Sequence, residues 1–329
     1  MSSSREFLDT AWRDWRRQGV GGSDIAALIG LSRYASPTSL FYSKLGLVDD
    51  HDDTPRQRIG KRMESVLAAE FTDRTGLHVV EEQTWCQHPE YEWARCTVDG
   101  MVSERPVGAA EIFEPIGVVE FKTDARFGWP DGIPPAIRAQ VIWQMGVTQH
   151  LMAWVVVMFA GFQVEVHEIA WDADAEADWV FMLAAAAEFW AHVEAQDPPP
   201  VDDHEATTEA LTIIFRDPAG MVDADDTSRA LVRRLQEAKL ATKVAEVEEN
   251  RLGNELRAFL GDRTDLIDGW TTPKRGDPKP IVLASWRPQT SKRLDVEALR
   301  NAEPEIADKF TITTPSRVLR VSPLKGDDL

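Results

Sequence analysis

Asp99, Glu120 and Lys122 are residues whose types and spacing could do chemistry. Asp99 lies in the strand-like segment CTVDGMV, which we predict to end at an adjacent glycine turn, and VVEFKT places Glu120 and Lys122 on one later strand. Side chains two apart on a strand share a face, so two carboxylates and an ammonium converge if these strands pair. Carboxylates suit Mg²⁺, and the lysine would orient a water or offset charge in the transition state. Taken alone the pattern is weak, because each residue type is more often a surface charge.

Polar side chains on two predicted helices could complete this site. Glu64 lies in IGKRMESVLAAEF, within a helix predicted from about 56 to 75, where it either faces the metal or belongs to a solvated surface. Gln140 and Gln144 in AQVIWQM are four residues apart and share one helix face. They are either routine edge positions or part of the active cleft.

The stretch GVGGSDIAALIG predicts a tight turn that leads into a helix. Such a turn presents the start of a helix to an anion. Ser23 could equally be an ordinary N-cap residue, and the local pattern favours that interpretation.

The elements around these residues alternate between strand and helix patterns. Predicted strands are LHVVEEQTW, ARCTVDGMVS and IGVVEFKT, followed by a helix in PPAIRAQVIWQMGVTQ. AWVVVMFAG and FQVEVHEIAW are predicted as a strand pair joined at Gly161, before the helix EADWVFMLAAAAEFWAHVEA. The pattern predicts an α/β fold.

The proline-rich segment QDPPPVDD is the predicted domain boundary, which gives domains 1–205 and 206–329. A long helix is predicted from about 227 to 260, with a stripe at three- and four-residue spacing formed by Leu231, Leu235, Ala238, Thr242, Ala245, Leu252, Leu256 and Phe259. Thr242 and the break at Glu249 argue against a sustained coiled coil. The tail, with PIVLASWRPQ, LDVEALR and SRVLRVS, is predicted as a small α/β ending.

Composition narrows the class of protein. The 329 residues are 43% hydrophobic, which is enough for a full core, and no apolar run approaches the roughly 20 residues of a membrane span. The charged N-terminus is unlike a signal peptide, so we expect a cytoplasmic protein. Cys86 and Cys96 are too few for a disulfide framework or a four-cysteine metal cluster.

The net charge of -19 is concentrated in one segment. Residues 163–226 contain seventeen acidic side chains and one basic side chain, so a cleft formed by the preceding residues need not repel DNA. The seven histidines show no paired metal spacing, and the sequence has neither a P-loop nor a recognisable nucleophile motif. Among the tryptophans, Trp12 and Trp15 are the candidates for stacking on DNA bases.

Five segments in order, RRQGVGGSDIAALIG, GKRMESVLAAEF, CTVDGMV, VVEFKT and PAIRAQVIWQMGVTQ, resemble the YqaJ-type viral recombinases. These are relatives of the lambda-type phage exonucleases within the PD-(D/E)xK nuclease superfamily. The resemblance covers roughly residues 10 to 200. It implies a restriction-endonuclease-like core, with a mixed central sheet flanked by helices, and a helical C-terminal extension.

The resemblance also implies site residues. Asp99, Glu120 and the backbone carbonyl of Phe121 match the metal ligands, and Lys122 matches the residue that assists the attacking water. Glu64 matches a helix acid near the metal, and Gln140 matches a helix glutamine beside the lysine.

A DNA 5′-phosphate site is implied as well. In the lambda-type enzymes an arginine before the glycine turn and the serine after it hold that phosphate, which points to Arg17 and Ser23. Thr97 stands where those enzymes have a further phosphate-binding serine. The sequence does not separate Arg16 from Arg17.

The activity implied is a Mg²⁺-dependent 5′ to 3′ exonuclease on double-stranded DNA ends, with Mn²⁺ as a substitute. It would leave 3′ single strands for a phage-type annealing protein, and by analogy the chain would form a trimeric ring. We expect a phage or prophage protein in the cytoplasm of a bacterial host. The alternatives are an endonuclease or branched-DNA nuclease on the same core, and a non-catalytic scaffold that binds an annealing protein.

Overall fold

The computed structural model describes residues 2–48, 54–106, 114–272, 276–313 and 317–322. Packing divides the chain into two units, Met1–Arg216 and Asp217–Leu329. Within the described ranges no helix is long and apolar enough to cross a membrane.

A five-stranded sheet forms the centre of the first unit. Its strands are β1 (His78–Gln87), β2 (Arg95–Ser103), β3 (Gly117–Thr123), β4 (Met152–Met158) and β5 (Val164–Ala170), in spatial order from β1 to β5. The β3 and β4 pair is parallel, and the other three pairs are antiparallel. The mixed sheet confirms the predicted fold class, and each predicted strand of this region is present.

One boundary differs from the prediction. Asp99 and Gly100 lie inside β2 instead of at its end. Gly100 pairs with Glu82 on β1 and with Val119 on β3, so hydrogen-bonded neighbours on both sides carry the strand past the glycine. Asp99 is therefore held by a central strand of the sheet, which fixes its backbone more firmly than a turn would.

Among the described residues, α4 (Pro55–Thr75) is the helix that contributes side chains to the smaller of the two core clusters of this unit. Thr54 caps its first turn by accepting a hydrogen bond from the backbone N–H of Gln57, and the helix ends at Gly76, whose φ of 74° suits glycine. Leu67 and Phe71 pack with strand residues in that cluster.

The remaining helices of the first unit are α1 (Ser2–Arg17), α2 (Gly22–Leu28), α3 (Pro37–Lys44), α5 (Pro135–Thr148), α6 (Ala173–Ala195) and α7 (Glu205–Ile214). From α2, α3, α5, α6 and α7, buried side chains enter the larger core cluster together with residues of the sheet. Alternate residues of β3 divide between the clusters, because Val118 is in the larger and Val119 in the smaller. The sheet is thus packed on both faces, which makes this unit a three-layer α/β/α domain.

The first unit extends beyond the predicted boundary at residue 205. Ala210 of α7 is buried in the larger core cluster, and Thr207 hydrogen-bonds Ser36 before α3 at 2.6 Å between hydroxyl oxygens. These contacts carry the unit to Arg216. The proline-rich segment is therefore followed by one more helix of the same core.

The second unit contains α8 (Asp226–Leu260), β6 (Asp265–Trp270), β7 (Pro280–Ser285), α9 (Val296–Ala302) and α10 (Pro304–Lys309). The long helix predicted at 227–260 is confirmed as α8, which begins at a capping box and ends at Gly261. The strands β6 and β7 form an antiparallel hairpin. Residues 317–322 of the segment SRVLRVS form neither helix nor strand.

Candidate active site

The candidate active site lies where β2 and β3 run side by side. Their antiparallel register pairs Gly100 with Val119, so Asp99 and Glu120 are the next residues along the two strands. The backbone N–H of Phe121 donates a hydrogen bond to Asp99 Oδ2 at 2.8 Å. Lys122 Nζ donates to Glu120 Oε1, so the lysine and the acid two residues before it face the same side of the strand.

Two glutamines of α5 hold the Glu120 carboxylate. Gln140 Nε2 donates to Glu120 Oε1 at 2.7 Å, and Gln144 Nε2 donates to Glu120 Oε2 at 2.7 Å. The Gln140 Oε1 atom also accepts a hydrogen bond from Lys122 Nζ at 3.2 Å. The structure therefore places both glutamines against the Glu120 carboxylate, with Gln144 fully buried.

Glu64 reaches the site through a residue that the sequence did not single out. Gln83 Nε2 donates to Glu64 Oε2 at 3.0 Å and lies 3.4 Å from Asp99 Oδ1. Gln83 is on β1 opposite Asp99 and has a φ of 53°, which is uncommon outside glycine. Only the register of β1 against β2 reveals it, because its neighbours in EEQTW carry no motif.

Burial and mutual repulsion govern the protonation of these groups. Burial raises the pKa of Asp99 well above its usual value, and the nearby Glu120 carboxylate raises it further, against the opposing effect of Lys122. Burial also raises the pKa of Glu64, while its hydrogen bond from Gln83 acts in the opposite direction. Burial alone would lower the pKa of Lys122, but the Glu120 and Asp99 carboxylates outweigh it and the pKa is raised.

The donor set fits a hard divalent cation. Three acids, Glu64, Asp99 and Glu120, influence one another's charge and are accompanied by one ammonium, so the cluster has excess negative charge. Over the described part of the chain, no three His, Cys, Asp or Glu side chains are grouped closely enough to hold a metal ion by themselves, so two carboxylates would have to be completed by other oxygen ligands. An open set of one or two carboxylates with room for water and phosphate oxygens is what Mg²⁺ uses.

The glycine turn leads into α2 as predicted, but Gly21 is the N-cap and Ser23 lies inside the first turn, exposed. Asp24 accepts a hydrogen bond from the Gly21 N–H at 2.8 Å and is itself buried. Lys44 Nζ lies 2.6 Å from Asp24 Oδ2, and both side chains are almost fully buried. Sequence reasoning missed this ion pair, since its members are twenty residues apart.

The two arginines before the turn occupy different environments. Arg16 Nη2 donates to Ser23 Oγ at 3.3 Å and to Asp24 Oδ1 at 3.0 Å. The Arg17 guanidinium instead lies against Gly46, just beyond α3. The structure therefore brings Arg16 to Ser23, and does not bring Arg17 there.

Thr97 and Trp12 adjoin the same region. Trp12 Nε1 donates to Thr97 Oγ1 at 3.2 Å, and the Arg16 guanidinium lies 5.4 Å from the centre of the Trp12 ring. Gly22 packs so closely on α5 that an added Cβ would lie 3.3 Å from Gln140 Cγ. The glycine turn and the carboxylate cluster are therefore neighbours joined through α5.

Asp99, Glu120 and Lys122 thus lie together on two adjoining strands of a mixed sheet, as the sequence predicted. The family model described as YqaJ-like viral recombinase domain matches residues 11–151. That match confirms the resemblance to the YqaJ-type viral recombinases over this segment.

Known proteins similar to this chain include YqaJ of Bacillus subtilis (strain 168), described as an uncharacterized protein. It is 25% identical over 335 residues, which cover 96% of this chain and 95% of that protein. Among solved structures, the alkaline exonuclease LHK-Exo from Laribacter hongkongensis is 20% identical and has a TM-score of 0.45, covering 57% of this chain and 94% of that chain. A phage related exonuclease from Haemophilus somnus 129PT is 12% identical, with a TM-score of 0.41, and covers 54% and 96% of the respective chains.

Proposed function

We propose that this chain is a Mg²⁺-dependent exonuclease that degrades double-stranded DNA from its ends in the 5′ to 3′ direction. The observation that carries the proposal is the placement of Asp99, Glu120 and Lys122 on two adjoining strands, with Gln140 bonded to both Glu120 and Lys122. This arrangement offers carboxylates for a cation and an ammonium beside them.

Asp99, Glu120 and the Phe121 carbonyl would hold the Mg²⁺, with Glu64 nearby. When bound, the cation activates the attacking water and offsets negative charge on the phosphate. A buried hydrogen bond from Gln144 and a partly buried one from Gln140 fix both oxygens of Glu120, so the ligand is oriented in advance.

Lys122 is the residue of this chain that orients the attacking water. Its raised pKa keeps it protonated at neutral pH, so it acts as a hydrogen-bond donor and a positive charge. Gln140 accepts one Lys122 N–H at 3.2 Å and thereby sets the direction of the ammonium.

The 5′-phosphate of the DNA end is bound at the glycine turn. Arg16, Ser23 and Thr97 lie there, and the Arg16 guanidinium already contacts the Ser23 hydroxyl. The resemblance pointed to Arg17, but the geometry supports Arg16 as the phosphate ligand.

The biological setting follows from the resemblance alone. The 3′ single strands would pass to a phage-type annealing protein, the chain would act as a homo-oligomer, with a ring of three by analogy, and the site of action would be the cytoplasm of a bacterial host that carries the phage or prophage.

The test compares three DNAs: a linear duplex with 5′-phosphate, the same duplex with 5′-hydroxyl, and covalently closed circles. We expect the phosphorylated linear duplex to be degraded fastest, with loss of a 5′-end label before a 3′-end label, and the circles to resist. Mg²⁺ and Mn²⁺ should support the reaction, and Ca²⁺ or EDTA should not. Rapid cutting of circles with no preference between linear ends would instead establish an endonuclease, and no cleavage of any DNA would establish a scaffold.

A further inference from the structure

Helix α8 presents a long apolar stripe that the described residues of the second unit leave largely exposed. The helix has 35 residues and so extends about 52 Å. Leu231 is 63% exposed and Phe259 is 65% exposed, at opposite ends of the stripe. An apolar face of this length in water is a feature of helices that pair with another helix.

The charges on α8 are divided between its two halves. Residues 226–243 carry five basic and two acidic side chains, while residues 244–260 carry four acidic and two basic side chains. Two copies of the helix in antiparallel orientation would place each basic half beside an acidic half. Two parallel copies would place like charges together, which is unfavourable.

We propose that two copies of this chain pair through α8 in antiparallel orientation. The stripe has the same spacing in both directions from its midpoint between Lys243 and Val244. Leu231 of one copy therefore meets Leu256 of the other, and Leu235 meets Leu252, so leucines pack at both ends. In the middle Thr242 of one copy meets Ala245 of the other, and these smaller side chains allow the helices to approach closely.

Glu249, which interrupts the stripe, gains a role in this arrangement. In the antiparallel pair Glu249 lies opposite Ala238 of the other copy, and Arg234 is one helical turn from Ala238. The Arg234 guanidinium of one copy can then pair with the Glu249 carboxylate of the other, twice per dimer. In a parallel pair Glu249 would face its own copy, so this residue favours the antiparallel register.

The first experiment measures the molar mass of the full chain by sedimentation equilibrium. We expect Leu252→Asp to halve the mass of the wild-type assembly, since it places a charge on the paired stripe. The matched control is Val247→Asp, an exposed position on the opposite face of the same helix, which should leave the mass unchanged. A wild-type chain that sediments as a monomer, or a Leu252→Asp chain with the wild-type mass, would overturn the proposal.

The second experiment tests the orientation by charge exchange. We expect Glu249→Arg alone and Arg234→Glu alone to lower the mass, because each places like charges together, and the double variant to restore it. The two positions are about 22 Å apart along one helix, so they can compensate each other only between antiparallel copies. A double variant that stays dissociated would refute the antiparallel pairing, and would indicate a different occupant of the stripe.

Discussion

The carboxyl groups of the candidate site are wholly or partly buried and have too few cationic neighbours to balance their negative charge. Asp99 has a raised pKa because burial and the Glu120 carboxylate disfavour its charged form. Asp24 lies in the opposite situation, since Lys44 and Arg16 more than offset its burial and lower its pKa to about 2. The Asp99 carboxyl is therefore able to bind a cation, whereas the Asp24 carboxylate already has two cationic partners, Lys44 and Arg16.

Replacing Asp99 should separate activity from stability. We expect Asp99→Asn to reduce DNA cleavage by orders of magnitude and to abolish Mg²⁺ binding in calorimetry, because the amide removes an anionic ligand. The melting temperature should stay the same or rise, since the neutral side chain relieves repulsion from Glu120. Glu104→Gln, an exposed position just after β2, is the control and should change neither property. A variant that loses both fold and activity would show that Asp99 is structural.

The Asp24 ion pair should make stability fall in acid. Because the folded-state pKa is about 2, below the ordinary value of 3.8, this carboxylate stabilises the fold at pH values above about 4, and the contribution disappears as the pH falls toward 2. The shift corresponds to about 2 kcal/mol. Asp24→Asn should cost more, about 3 to 5 kcal/mol at neutral pH, because it leaves Lys44 buried without its partner. Urea unfolding of the wild type and of Asp24→Asn at several pH values measures both effects. If the substitution lowered the free energy of unfolding by the same amount at pH 3 and at pH 7, the lowered pKa of Asp24 would be contradicted.

Arg16 and Arg17 should differ in their response to the DNA end. We expect Arg16→Ala to slow digestion of the 5′-phosphorylated duplex by about 10 to 100-fold, the cost of one charge-assisted contact, with a much smaller effect on 5′-hydroxyl ends. Arg17→Ala is the matched control and should leave the ratio of the two rates unchanged. Arg16 also pairs with buried Asp24, so its loss could lower the rates on both DNAs. The decisive measurement is therefore the ratio of the rate on 5′-phosphate ends to the rate on 5′-hydroxyl ends within one variant. If the ratio changed in Arg17→Ala and not in Arg16→Ala, Arg17 would be the phosphate ligand instead of Arg16.

Helix α5 is the element that connects the site to the core. Gln140 and Gln144 on one side of it bond Glu120, and Trp143, Gln144 and Gly146 are all buried. Gly146 lies directly against α6, where an added Cβ would come within 2.3 Å of Trp179 Cε3. Any movement of α5 away from α6 therefore moves the two amides that hold Glu120.

A methyl group at Gly146 should act through this helix contact. We expect Gly146→Ala to destabilise the fold by about 1 to 3 kcal/mol, as overpacked core sites do, and to lower cleavage as the glutamines shift. Gly60→Ala in α4 is the control, because its nearest neighbour is Thr123 Oγ1 at an ordinary 3.7 Å. That change should stabilise the helix slightly. Thermal unfolding of both variants checks the prediction. If the two variants had the same melting temperature, α6 would accommodate the added methyl group without cost and the prediction would be wrong.

At the level of the whole chain, the two units have different kinds of surface. The first unit buries two clusters on either side of its sheet, whereas α8 in the second unit exposes most of its apolar side chains. The candidate catalytic residues all lie in the first unit. The exposed face of α8 is the surface that the proposed pairing of two copies would bury.

Truncation should show where the first unit ends. We expect a chain that stops at Arg216 to stay folded and to retain cleavage, because it keeps α7 with Ala210 in the core and Thr207 bonded to Ser36. A chain that stops at Asp203 loses α7 and should melt at a lower temperature. Circular dichroism with DNA cleavage tests both chains, and identical melting would place the boundary at the proline-rich segment.

Local pattern was sufficient for most of the elements. Alternating apolar residues predicted β1 to β5, three- and four-residue spacing predicted α4, α5, α6 and α8, and glycines marked the ends of α4 and α8. These signals are local, because hydrogen bonding and burial of one element depend mainly on its own residues. The two-residue spacing of Glu120 and Lys122 and the four-residue spacing of Gln140 and Gln144 placed each pair on one face for the same reason.

Contacts between distant segments were decided only by the tertiary structure. The register of β1 against β2 brings Gln83 to Glu64 and Asp99, the packing of α1 turns Arg16 toward Ser23 and Arg17 toward Gly46, and α7 joins the core after the prolines. The sequence carries no mark of these choices. They depend on how separate elements fit together, and a register or a helix rotation is set by the sum of many packing contacts rather than by any one residue.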